Sequence, residues 1–430
     1  MKVYHVGDDK AEKLLGRIEN RRGRLLSDQV MSRVRSVVTG IRKHGDRALM
    51  KHIRESELST LAAREIQLQG GADAQAGDLP DHVMRALDAT WEAAQRFYRA
   101  QVPEGYTQTN DGTMLGWRVR PVPSVGIVVP GSDRPQLSTL ILSVVPARLA
   151  GVRRIAVAVS PRAYLGSPAL RYLLRRLELE DVYLMSGIHA VAALAYGTES
   201  VERVNMIVAP GGAEIQAAKY VVARDVTVDL RGGPPEVAIL ADTSANPEMV
   251  AADLLCQLEH DPDALGVVLT TSERVARRVD ARVKSSLRAL AKDHPVREAL
   301  KRWGVILVCR SLEQACQTTN RIAPSRVQLL VEEPLRAADR LETAAMVLMG
   351  TWTPPALADV AAGVSHVMPT MGGSVMRGPL GVADFVRTSA IVRVAAHHFP
   401  KLATTARTMA ELEELPLHDT SLMAGERGER

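Results

Sequence analysis

Gln257 and His260 stand three residues apart near the end of the stretch ANPEMVAADLLCQLEHDPDA. On a helix that spacing places an amide oxygen and an imidazole nitrogen on one face. Such a pair can supply two ligands to a divalent metal. Spacing alone leaves a plainer alternative open: Gln257 serves a loop, and His260 ends a helix where the dipole favours it. Other candidates are weaker. Cys256, Cys309 and Cys316 are the three cysteines, an odd number with no CxxC spacing, which suits a reduced, cytoplasmic chain. VAPGGAE resembles a glycine-rich phosphate turn, but a lone PGG usually marks only a tight turn. His397 and His398 are adjacent, a spacing that rarely faces one site on a helix, and read as surface or packing residues.

The elements that must position the first pair are legible. Asn246 caps a helix, Pro247 suits its first turn, and Asp261-Pro262 ends it. Around that helix, short apolar runs alternate with helical segments. The first array runs SVGIVVPG, RIAVAVS, VYLM, VNMIVAP and VTVDL. The second runs EVAILAD, GVVLTTS, GVILVC, VQLLV and AMVLMG. The alternation predicts an α/β fold with two parallel-sheet arrays split near RGGPPE. Residues 1–68 read as helical and charged, and the tail beyond about Leu380 reads as helical. The composition is ordinary, with 46% hydrophobic and 24% charged residues. The net charge of +5 is scattered, and aromatics at 3% are too few to stack bases, so nucleic-acid binding is not expected. No apolar run approaches the roughly 18–20 residues of a membrane span.

PPEVAILADTSANPEMVAADLLCQLEHDPDA resembles the signature of the histidinol dehydrogenase family. So do VPGSDRPQLSTLILSVVPARLAGV, AVAALAYGTESVERVNMIVAPG and GTWTPPALADVAAGVSHVMPT. The resemblance runs in consistent order from about Leu79 to His418. It implies two Rossmann-like parallel-sheet domains: residues 25–128 with 236–380, on the metal side, and residues 129–235, on the nucleotide side. An N-terminal helical segment (1–24) and a C-terminal helical dimerisation arm (381–430) complete the implied chain. Family members are zinc-dependent, NAD-linked homodimers that oxidise L-histidinol to L-histidine. The implied ligands of one zinc per subunit are Gln257, His260, Asp359 and, from the arm, His418 of the partner subunit. These residues and Glu413 would also meet substrate, and His366 would line the pocket.

Several positions depart from the family pattern. Its Glu-His acid/base pair falls on Ser325 and Arg326 in APSRVQL. Arginine is not deprotonated in proteins, and serine is no base without a partner. Arg326 could instead pair with a nearby acid such as Glu332. The nucleotide-contacting positions carry Val128, His189 and Gly212 where the family has Tyr, Gln and Asn, and Pro235 replaces a substrate-contacting Ser. His189 also reads as a core or turn histidine. Three functions stay open at this point. The chain is a histidinol-type dehydrogenase using His366 or a zinc-bound hydroxide as base, a zinc enzyme of non-redox chemistry on a small amine or imidazole compound, or a non-catalytic dimeric metabolite-binding homologue. NAD binding is expected to be weak.

Overall fold

The protein is described from a computed structural model covering residues 1–21, 26–57, 61–68, 79–131, 133–229 and 232–426. Among these residues the strands run in chain order as follows: β1 (Lys2–His5), β2 (Tyr106–Asn110), β3 (Thr113–Pro121), β4 (Ser124–Val128), β5 (Arg154–Val159), β6 (Asp181–Leu184) and β7 (Met206–Val208). They continue with β8 (Thr227–Val228), β9 (Glu236–Ala241), β10 (Leu265–Thr270), β11 (Gly304–Val308), β12 (Arg326–Leu330), β13 (Met346–Met349) and β14 (Val386–Val394).

One parallel sheet has the order β6-β5-β4-β7-β8 and another the order β1-β11-β10-β9-β12-β13. Setting β1 aside, both read 3-2-1-4-5 in their own chain order, the Rossmann winding. The apolar runs become these strands because both faces are covered by helices, so continuous burial replaces alternation. Every residue of β9, β10, β11 and β12 is buried. The helix Leu137–Leu149 is buried on nearly all sides, from Thr139 to Ala147, as a helix enclosed by protein must be.

Three expectations are corrected. The N-terminal segment does not open as a helix: β1 adds a parallel edge strand beside β11, pairing Lys2–His5 with Val305–Val308, before the helix Asp9–Glu19. Residues 22–25, where the segment was expected to end, lie outside the described residues. The expected boundary at 128 is also displaced. β4 pairs with β5 and β7 in the nucleotide-side sheet. The helix Asp28–Glu57 covers that same sheet, Val34, Val38 and Ile41 sharing a core with Ala190, Leu194 and Ala217. The tail is not helical throughout, because β14 joins β3 and β2 in a separate antiparallel sheet. Two helices follow it, Phe399–Leu412 and Pro416–Glu426.

Candidate functional site

Asn246 accepts the Glu248 backbone N–H at 3.0 Å and starts the helix Pro247–Leu258 as its sequence requires. Because this helix returns antiparallel to β9, its end lies at the N-terminal edge of the sheet. Gln257 is there, 1% exposed, and His260 follows in the exposed turn. β12 begins at the same edge, between β9 and β13, so Ser325 and Arg326 arrive beside Gln257. The short helix Pro355–Val360 brings Asp359.

The Arg326 guanidinium joins them. One terminal nitrogen donates to Gln257 Oε1 and the other to Asp359 Oδ1. Gln257 Nε2 in turn donates to Asp359 Oδ2 at 3.0 Å. Arg326 is 3% exposed, and among the described residues its Nε has no hydrogen-bond partner. Burial pulls its pKa below the usual value while the Asp359 carboxylate opposes that shift. The expected pairing of Arg326 with an acid holds, but the acid is Asp359 rather than Glu332.

His366 lies behind Asp359. Its Nδ1 is 2.9 Å from the Asp359 carbonyl oxygen, and its Nε2 is 2.7 Å from Thr139 Oγ1. A carbonyl only accepts, so Nδ1 carries a proton, while Nε2 meets the Thr139 hydroxyl, which itself donates to Gln136 Oε1 at 3.0 Å. Burial lowers the His366 pKa and favours the neutral form. Ser325 is also committed. Its Oγ donates to the Glu236 carbonyl oxygen and its backbone N–H to Glu236 Oε2, both at 3.1 Å. Glu236 is buried against Arg21, whose Nε lies 2.7 Å from Oε1.

These residues border a cleft of about 890 Å³, within the ordinary range for small-molecule sites. Gln257, His260, Ser325, Arg326, Asp359 and His366 line one side. The other side comes from the C-terminal edge of the nucleotide-side sheet: Pro210, Gly211, Gly232 and the buried Lys219–Asp229 pair at 2.6 Å. Open α/β sheets bind ligands at that edge. Neither the Lys219–Asp229 pair nor Thr139 carries a local signal in the chain, since each matters only through a partner distant in sequence.

Val128, His189 and Gly212 each lie on this C-terminal edge, following different strands, and none lines the cleft. Val128 ends β4 and is 3% exposed, and Gly212 is the N-cap residue of the helix Ala213–Val222. His189 stands in the first turn of the helix Gly187–Tyr196, 5% exposed, with Nε2 3.4 Å from the Ser186 backbone N–H. Glu413 lies in the turn between the terminal helices and His418 on the second of them, and neither lines the cleft of its own chain.

The residues present do not fit zinc as the chain is folded. Gln257 Oε1 and Asp359 Oδ1 both face a guanidinium, and a divalent ion bound to them would touch a second cation.

The family model described as histidinol dehydrogenase matches residues 20–424. A histidinol dehydrogenase from Thermus thermophilus is 36% identical over 402 residues, 94% of this chain and 96% of the relative. One from Methanopyrus kandleri is 37% identical over 414 residues, 94% and 96% of the two chains. The crystal structure of histidinol dehydrogenase from Elizabethkingia anophelis superposes with a TM-score of 0.89 at 26% identity, covering 100% of this chain and 98% of the other.

Proposed function

The chain belongs to the histidinol dehydrogenase family, and from that premise we propose that its interdomain cleft binds a small polar metabolite without oxidising histidinol. Zinc and NAD serve the family in general. In this chain the observation carrying the proposal is that the aligned pair supplies no base and the candidate base His366 is already engaged. The Ser325 hydroxyl is held by Glu236, and both His366 nitrogens are held, by the Asp359 carbonyl and by Thr139. General acid–base catalysis is typically worth about 10²–10⁴-fold, so oxidation through an alcohol and an aldehyde loses a central contribution.

The same reading extends to NAD and to assembly. Val128 offers only a buried aliphatic side chain and Gly212 none, so NAD is held weakly. A homodimer formed through the terminal helices would bring Glu413 and His418 of the partner subunit toward the cleft. The second reading, a dehydrogenase with a different base, is favoured by His260, which lines the cleft and is exposed.

The test follows NADH absorbance with L-histidinol and NAD, alongside calorimetric titration of L-histidinol and L-histidine. Binding without NADH formation supports the proposal. Sustained turnover that His260→Ala abolishes establishes the second reading instead.

A further inference from the structure

We propose that Arg326 acts as a built-in cation in place of a bound metal, masking a latent divalent-cation site formed by Gln257, Asp359 and His260. This rests on the same reading of the cleft, but it concerns occupancy rather than chemistry.

Three observations carry it. First, the guanidinium contacts an amide oxygen and a carboxylate oxygen from two different elements, Gln257 Oε1 and Asp359 Oδ1. Second, the donors are oriented by each other: the 3.0 Å bond from Gln257 Nε2 to Asp359 Oδ2 turns Oε1 and Oδ1 toward one cation. That mutual bond does not involve Arg326, so it can persist without it. Third, among the described residues the guanidinium is held through its two terminal nitrogens, its buried Nε lacking a hydrogen-bond partner. Arginine has been fitted to an oxygen pair, and no cage has been built around all five of its N–H groups. His260 borders the same cleft and supplies a nitrogen donor of the kind divalent transition metals take alongside oxygens.

The exchange changes the charge of the site. A divalent ion with Asp359 leaves a net charge of +1, whereas Arg326 with Asp359 leaves zero. The guanidinium donors facing Gln257 and Asp359 are used within the protein, so Arg326 cannot polarise a ligand oxygen as a Lewis acid would.

The experiment loads full-length protein with zinc, removes loosely held metal by gel filtration over a weak chelator, and measures zinc per chain by elemental analysis. Wild type is expected to retain none that depends on Gln257 or Asp359. Arg326→Ala and Arg326→His are each expected to retain about one equivalent, lost again when Gln257→Ala is added. Circular dichroism confirms that each variant is folded. Wild-type zinc that disappears with Gln257→Ala or Asp359→Asn overturns the inference, and so do folded Arg326 variants that retain none. Should Arg326→Ala fail to fold, the wild-type measurement and Arg326→His still decide. NADH formation by metal-free wild type would defeat the proposed function and leave this inference standing, whereas wild-type zinc retention through Gln257 or Asp359 would defeat this inference whatever the activity.

Discussion

Arg326 donates to Asp359 from a strand position 33 residues earlier, and the two side chains are 3% and 18% exposed. Water is largely excluded from this pair, so each charge depends on the other for compensation. Gln257 joins both and makes the pair a three-residue unit spanning β12, the helix Pro247–Leu258 and the helix Pro355–Val360.

Asp359→Ala is therefore expected to destabilise the protein by about 3–5 kcal/mol, because it leaves a buried guanidinium without its counter-charge. Asp359→Asn should cost less, since an amide oxygen can still accept. Arg302→Ala is a useful control. Its bond to Asp263 is 2.7 Å, but both side chains are 47% exposed, so solvent screening should make its loss far smaller than that of Asp359. Urea denaturation of the three variants checks the ranking, and equal losses at Asp359 and Arg302 would show that burial does not set the strength of the pair.

Ser325→Glu should not restore an acid/base residue. The position is 2% exposed, and its hydroxyl and N–H both meet Glu236. A carboxylate placed there sits beside another buried carboxylate that is already matched to Arg21. The expected result is a loss of about 3–5 kcal/mol and no NADH formation from histidinol. A variant as stable as wild type would show that the strand edge has room to turn the new side chain into the cleft.

Both parallel sheets were legible because their strands are apolar runs bounded by turns, and the helix from Asn246 to Leu258 carried its own cap and stop. β1 was not, because KVYH is short and half polar and becomes a strand only by lying against β11. β2, β3 and β14 were missed because their sheet buries little; Leu115 and Val392 are 54% and 66% exposed, so no periodic apolar face marks them. The boundary near 128 failed because strand order, rather than local pattern, decides which sheet β4 joins. Residue types around the cleft were readable, and the inability of Ser325 and Arg326 to accept a proton followed from type alone. Where the Arg326 guanidinium goes could not be read from β12 alone, since the answer depends on Asp359 arriving from a separate helix.

His189 makes stability depend on pH. Burial, with a smaller push from His52 on the packed helix Asp28–Glu57, lowers its pKa from 6.5 to about 3. Lys51 and Glu55 flank His52 and shift it in opposite directions. The folded state keeps His189 neutral, while the unfolded chain takes up a proton below about pH 6.5. The contribution is thus fully present above pH 6.5 and is lost as pH falls toward 3, with a slope of at most about 1.4 kcal/mol per pH unit. His189→Gln keeps an acceptor for the Ser186 N–H and cannot titrate. Denaturation between pH 7.5 and 5 should show a shallower decline in that variant, and an unchanged slope would show that other groups carry the acid sensitivity.

Gly212→Asn should be tolerated and should strengthen NAD binding. Gly212 has φ −71°, and a Cβ added there would meet nothing within 4 Å. As the N-cap of Ala213–Val222 it occupies a position where asparagine stabilises helices as well as or slightly better than glycine. One added hydrogen bond at the ligand-binding edge is worth about 1 kcal/mol, roughly a fivefold gain in affinity. Calorimetry with NAD checks this. Unchanged affinity with an unchanged melting temperature would mean that Gly212 does not face the nucleotide.

The terminal helices should hold the dimer. Met409, Leu412, Leu417 and Met423 are 48%, 73%, 79% and 44% exposed, and the two helices pack mainly on each other, so their outer apolar side chains need a cover. A second copy provides one at both ends by symmetry. Deleting residues from Leu412 onward removes three of the four side chains while leaving β14 and the cleft-lining residues in place. The full chain should therefore elute as a dimer with a concentration-dependent melting temperature, and the truncated chain as a monomer without that dependence. The truncation also removes Glu413 and His418. If those residues complete the partner's cleft, metabolite affinity should fall together with dimerisation, and His418→Ala in the intact dimer should reproduce part of the loss. A truncated chain that remains dimeric would place the interface elsewhere, and unchanged affinity in a truncated monomer would show that each cleft is complete within one chain.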